Sequence, residues 1–358
     1  MNTVKTQLSQ LFVDYELWET NKSLYNNRSK IDINHFWEFP CFHQREVDSI
    51  NRCSSDVIVI DNIMESVHCY SEWFSKYDNT KHYIIITGGT WDKQKHDIGI
   101  DSYDILYLPW MLIDVTDNYL SPHRVAFYID KDYDFQYPKP YNFVSTVGNQ
   151  RPERDLFINK ICDNTTYDNF LLSYSGKDLG KPSRQYDIDD ISYFDEQGDF
   201  DPYWSVIDEY YHTLSYSLPI NMYNQCYFNL CVETDIDWQD CFFLTEKTIK
   251  CLITGMPFVA VSTPYFLKEL HRLGFRTYGE LWDESYDLEE DYEQRCNKIS
   301  ELVNDLGTME WTTIKQELEV IANHNLRNIS NMNMVMDEFF NDLTALANKY
   351  NSKQGTKL

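Results

Sequence analysis

The sequence predicts an α/β fold of two parallel-sheet halves closed by C-terminal helices. Three observations carry this: short apolar runs end in polar loops, helix-like stretches alternate with them, and after Asp287 the chain turns helical and acidic.

In the first half, the run from Asp56 to Ile60 (DVIVI) ends at Asp61 and Asn62, and the run from His82 to Ile86 (HYIII) ends at Thr87, Gly88, Gly89 and Thr90. Unbroken apolar runs of this length fit strands buried on both faces. Ile63 to Tyr77, between them, has helical apolar spacing, and Ile105 to Leu108 is a third strand candidate, stopped by Pro109.

The second half repeats the order. Tyr141 to Ser145 is strand-like and leads through Gly148 into a helix over Gln150 to Lys160, with Pro152 near its start. Asn169 to Tyr174 is the next strand candidate. Cys226 to Glu233, a helix from Thr245 to Thr254 closed by Gly255, and the strand Pro257 to Val261 follow. Helices are expected over Leu288 to Asp305, Glu310 to Asn323 and Asn331 to Tyr350. A boundary near Pro138 and Pro140 divides the chain into domains 1–138 and 139–287, with 288–358 forming helices packed on both. Asp190 to Asp208, acidic and aromatic, reads as a surface loop or insertion.

The chain has 358 residues, enough for about two domains. Its 31 Lys and Arg against 57 Asp and Glu leave a net charge of −26, a field that repels a phosphate backbone and disfavours general nucleic-acid binding. A hydrophobic share of 42% excludes a disordered acidic tail. Nine Cys without a CxxC pair support neither a disulfide framework nor a zinc ribbon, so reduced thiols are expected. No run of 18 apolar residues occurs, and the N-terminus lacks the layout of a signal peptide; a cytoplasmic protein is expected.

The densest chemistry lies between Asn229 and Val261. A strand ending in Glu233 is followed by Thr245, Glu246 and Lys247 at a helix start, which gathers a hydroxyl, carboxylates, an ammonium and free backbone N–H groups at one point. A helix N-terminus with a lysine suits a diphosphate, and the Glu246 carboxylate has lone pairs for ribose hydroxyls. The plainer alternative makes Thr245 an N-cap with Glu246 and Lys247 exposed in the first turn.

The order Phe228 to Glu233, Leu244 to Lys247, Gly255 to Phe258 resembles the donor-binding signature of α-1,3-fucosyltransferase-like glycosyltransferases of the GT-B architecture. Val144 to Arg154 is similar to the arginine-bearing helix start of the same family, and Leu273 to Tyr278 with Trp282 to Asp287 looks like sequence in virus- and phage-encoded relatives. The resemblance spans residues 140 to 290 and implies two facing Rossmann-like domains, with the acceptor side in 1–138 and the donor nucleotide in 139–287. It implies a metal-independent, inverting transfer from a nucleoside diphosphate sugar to a glycan or other hydroxyl acceptor, with no further cofactor. Arg151 or Arg154 would pair with the diphosphate beside Lys247, Glu246 would hold the ribose, and Glu233 and Thr245 complete the donor set. Thr234 stands where the family has Asn after the Glu.

An inverting transfer needs a base for the acceptor hydroxyl. The run from Lys81 to Trp91 resembles the strand before the family's catalytic Glu, but the loop holds no Glu, and Asp92 is the nearest carboxylate. Asp61, Glu65, His96 and Asp97 are further candidates. Asp235-Ile-Asp237 matches the DxD pattern that bridges a metal to a diphosphate elsewhere, and Asp101 to Asp104 invites the same comparison. In a chain this rich in Asp such patterns recur, and a lysine-arginine site makes a metal redundant. Tyr203 to Tyr216, dense in Tyr and Trp, reads as packing or as a sugar-stacking platform. The competing function is a non-catalytic sugar-nucleotide or glycan-binding protein, such as a viral structural component in the host cytoplasm or virion. Glucosylation of DNA bases is a third reading, weakened by the net charge.

Overall fold

Among the described residues, two four-stranded sheets, each parallel throughout, organise the fold. The structure is a computed structural model; it describes residues 16–19, 47–48, 51–52, 57–62, 75–90, 99–109, 111–112, 132–148, 150–174, 220–237, 241–330 and 333–354. The chain forms two units, residues 1–110 with 332–358 and residues 111–331.

The first unit holds β1 (Glu16–Glu19), β2 (Val57–Asn62), β3 (His82–Thr87) and β4 (Tyr103–Tyr107), in that spatial order. Ile58 aligns with Tyr83 and Ile60 with Ile85. Successive residues from Val57 to Ile60 and from Tyr83 to Ile86 are buried, so both faces of the sheet are covered, which is why these strands read as unbroken apolar runs. Val47, Ile58, Ile60, Tyr83, Ile85 and Ile100 share one core cluster. The last helix, α7 (Asn333–Gln354), belongs to this unit, where its Lys349 Nζ donates to Asp104 Oδ2 at 3.0 Å.

The second unit runs β5 (Tyr141–Val147), α1 (Pro152–Asn164), β6 (Leu171–Tyr174), the single turn α2 (Ile220–Tyr223), β7 (Cys226–Val232), α3 (Glu246–Thr254) and β8 (Phe258–Val261). Next come α4 (Phe266–Arg272), α5 (Tyr292–Gly307) and α6 (Lys315–Ile329). The strand order is β6-β5-β7-β8. From β5 the chain moves outward to β6, then returns to the opposite side for β7 and β8. The order therefore reverses between β5 and β7, and loops leaving their C-terminal ends diverge there, the place where open α/β sheets bind ligands.

Local chemistry explains the element ends. Pro152 opens α1, Thr245 caps α3, and Gly255 closes α3 in the left-handed region at φ 77°, where a Cβ would stand 2.8 Å from the Ala322 Cβ of α6. Arg295 of α5, 2% exposed, donates to the carbonyls of Glu289 and Ile236 and so anchors the segment leaving β7. Asp287 accepts the N–H groups of Leu267 (2.9 Å) and Lys268 (3.4 Å) at the start of α4; burial pushes its carboxyl up to about 6.

The expected mixed α/β class holds, with the strand candidates near the expected bounds. The organisation differs in two respects. Pro138 and Pro140 lie inside the second unit, in the run leading to β5, and the segment 288–358 is shared: α5 and α6 belong to the second unit and α7 to the first. β1 and α4 have no counterpart in the expectation, and the helix expected over Ile63 to Tyr77 lies mostly outside the described residues.

Candidate functional site

Six of the residues singled out by sequence meet at the C-terminal ends of β5 and β7, the point where the strand order reverses. β5 leads through Gly148 to Arg151 and Arg154 at the start of α1, and β7 leads to Glu233, Thr234 and Asp235. Thr245, Glu246 and Lys247 begin α3, the helix that connects β7 to β8.

Glu233 is fully buried, and its carboxylate is consumed by α3. Oε2 accepts the Thr245 hydroxyl; Oε1 accepts the Thr248 hydroxyl at 2.6 Å and the Thr248 N–H at 3.4 Å. Burial raises its pKa, against the opposing pull of Lys247 and the two threonines. A carboxylate with both oxygens occupied and no exposed surface ties a strand end to a helix start. Thr245 has a matching role: besides meeting Glu233, it accepts the Lys247 N–H as the N-cap.

Glu246 and Lys247 form the accessible edge. Lys247 Nζ lies 2.8 Å from Glu246 Oε1 and 3.3 Å from Thr245 Oγ1, and the Glu246 and Lys247 side chains are each 16% exposed. Burial alone would raise the Glu246 pKa, but the charges of Lys247 and Lys250 outweigh it and hold the carboxyl below its usual range.

The two arginines part company. Arg154, 3% exposed, turns its guanidinium inward, and Nη2 donates to the Glu233 carbonyl at 3.0 Å. Arg151 keeps a quarter of its side chain exposed while Nη1 donates to the Thr234 carbonyl at 3.1 Å and lies 3.8 Å from Asp235 Oδ1. The Arg151 N–H is held by the Tyr174 hydroxyl at 3.1 Å, and α1 begins without a side-chain cap. Of the pair, Arg151 is the more exposed.

Three contributors were not singled out by sequence. Thr248 and Lys250 follow the capping triplet on α3, and Thr248 stands one turn from Thr245, a spacing that would have pointed to a shared partner. Tyr174, at the end of β6, carries no local signal for its bond to the start of α1.

Asp92, Glu65, His96 and Asp97 lie outside the described residues, as does the stretch Tyr203 to Tyr216; Asp61 is the penultimate residue of β2, with only its backbone described. Asp104 is engaged by Lys349 and by His82 Nε2 at 3.1 Å. Among the described residues, no three His, Cys, Asp or Glu side chains converge in a metal-binding arrangement, and no helix is long and apolar enough to cross a membrane.

No family model matches the chain, and no curated protein matches it. Among solved structures, it is similar to CalG4, the calicheamicin glycosyltransferase, at 12% identity and a TM-score of 0.28, over 84% of this chain and 77% of that one. The likeness to fucosyltransferases rests on the motif residues alone.

Proposed function

We propose that the chain is a glycosyltransferase of GT-B type that binds a nucleoside diphosphate sugar at the strand ends of its second unit. One observation supports this above all: Arg151 at the start of α1, and Glu246 and Lys247 at the start of α3, both border the Glu233–Thr234 segment, where the order of a parallel sheet reverses. The cations and helix starts suit a diphosphate, and the Glu246 carboxylate suits a ribose.

In this reading Lys247 and Arg151 neutralise the diphosphate as it departs from the anomeric carbon, and the transfer needs no metal. Glu233, Thr245 and Arg154 hold the frame. The first unit contributes the acceptor side, where a carboxylate takes the acceptor hydroxyl proton; Asp92 is proposed for that role because it follows a Gly-Gly loop after a buried strand. Direct displacement with such a base inverts the configuration at the anomeric carbon.

Incubation with a panel of nucleoside diphosphate sugars and simple glycan acceptors, read by release of the nucleoside diphosphate, tests this. Release that requires Lys247 is the expected result. Saturable donor binding with no release under any acceptor would instead favour a binding protein built on the same site, because a donor site does not establish turnover.

A further inference from the structure

We propose that Glu246 is a built-in competitor for the Lys247 ammonium, so that the site discriminates against bare phosphates and admits a diphosphate best when a ribose accompanies it. This rests on the donor reading above and assigns Glu246 a specificity role within it.

The starting point is an arrangement that helix geometry does not give by default. Adjacent residues on a helix point about 100° apart and do not share a face. Glu246 and Lys247 nevertheless meet at 2.8 Å, at the first turn of α3, with both side chains largely enclosed. Thr245 Oγ1 supports the ammonium at 3.3 Å and is itself committed to Glu233. The positive charge expected to meet a phosphate is thus already occupied.

A ligand that offers only phosphate oxygens must draw Lys247 away and leave the Glu246 carboxylate short of a donor in an enclosed position. That loss opposes the gain on the phosphate. A ribonucleoside diphosphate also brings two ribose hydroxyls, which are donors, and these take the place of the ammonium on Glu246. The exchange then closes: the ammonium passes from carboxylate to phosphate, and the carboxylate passes from ammonium to hydroxyls. No covalent bond changes. In the resting site Lys247, and after it Lys250 one turn along α3, favour the ionised Glu246 carboxylate against its burial.

Calorimetric titration tests this with sodium pyrophosphate and with UDP, GDP, ADP, CDP and TDP, on the wild type, Glu246→Gln, Lys247→Ala and the double variant. Circular dichroism establishes that each variant is folded. The expected pattern is opposite in sign for the two ligand types. Glu246→Gln binds pyrophosphate about threefold or more tighter and the preferred nucleoside diphosphate about threefold or more weaker, and the pyrophosphate gain vanishes when Lys247 is Ala. An equal pyrophosphate gain with and without Lys247 would mean a general effect of removing a negative charge and would overturn the proposal. So would a variant that weakens both ligands alike. If a nucleoside diphosphate binds the wild type and needs Lys247 while Glu246→Gln misses the expected pattern, only this inference falls. If no nucleoside diphosphate binds the wild type, the donor reading falls and this inference with it.

Discussion

Arg154 of α1 and Glu233 at the end of β7 are joined through the main chain: the buried guanidinium donates Nη2–H to the Glu233 carbonyl at 3.0 Å, while the Glu233 side chain points to α3. One helix start and one strand end are thereby fixed to each other, and the second helix start is fixed to that strand end by a separate set of hydrogen bonds. The frame and the accessible edge of the site are consequently made of different residues.

Arg154→Ala should act on folding. It leaves the Glu233 carbonyl without its Arg154 donor and opens space in a packed region, a loss of about 2–4 kcal/mol, readable as a lower urea midpoint. Arg151→Ala should leave that midpoint nearly unchanged and weaken nucleoside diphosphate binding. The reverse allocation, with Arg154→Ala stable and deficient in binding, would contradict the assignment of the inward-facing guanidinium.

Glu233→Gln keeps oxygen and amide groups for the two threonine hydroxyls, whereas Glu233→Ala strands Thr245, Thr248 and the Thr248 N–H. Thermal melts should rank wild type and Gln close together, with Ala about 2–4 kcal/mol less stable. An Ala variant as stable as the Gln variant would remove Glu233 from the frame.

Asp287 supplies a pH dependence. Its carboxyl lies at about 6 when folded against an ordinary value of 3.8, so between those limits the folded chain binds more protons than the unfolded one. Stability from this group is greatest below pH 3.8 and falls as pH rises through about 6, by on the order of 2–3 kcal/mol. Unfolding measured from pH 4 to 7 should show that decline in the wild type and a flatter profile in Asp287→Asn. Parallel profiles would contradict it.

Donor binding should survive chelation. In the proposed donor site Lys247, Arg151 and two helix starts would meet the diphosphate charge, so EDTA is expected to leave affinity intact. Loss of binding in EDTA with recovery in Mn²⁺ would promote Asp235 and Asp237 to metal ligands.

Much of the fold is legible in the sequence because its signals are local. β2 and β3 carry unbroken apolar runs since both faces are covered, β7 departs from that only at the buried Asn229, and α3 announces its ends with Thr245 and Gly255. The short β1, with Glu at each end, has no such run, and α4 follows a Tyr265 in the left-handed region and carries no standard cap. Within the site, the placing of Thr245, Glu246 and Lys247 on one turn follows from a helix start, whereas the pairing of Glu246 with Lys247 does not. The division of labour between Arg151, the extended residue just before α1, and Arg154, in its first turn, is not legible either, because it depends on which tertiary neighbour each one meets. The Glu233 carbonyl, brought there by sheet pairing, makes that choice. The placement of α7 with the first sheet likewise depends on long-range contacts such as Lys349 to Asp104.

The central claim is that Lys247 holds the diphosphate of a nucleotide at the strand ends of the second unit. Calorimetric titration of nucleoside diphosphates into the wild type and Lys247→Ala, in EDTA, tests it most directly. The account predicts saturable binding of at least one nucleoside diphosphate to the wild type and an affinity at least about tenfold lower in a folded Lys247→Ala, as expected from the loss of a charge-assisted hydrogen bond. Equal affinity in the two proteins, or no binding of any nucleoside diphosphate to the wild type, would contradict it.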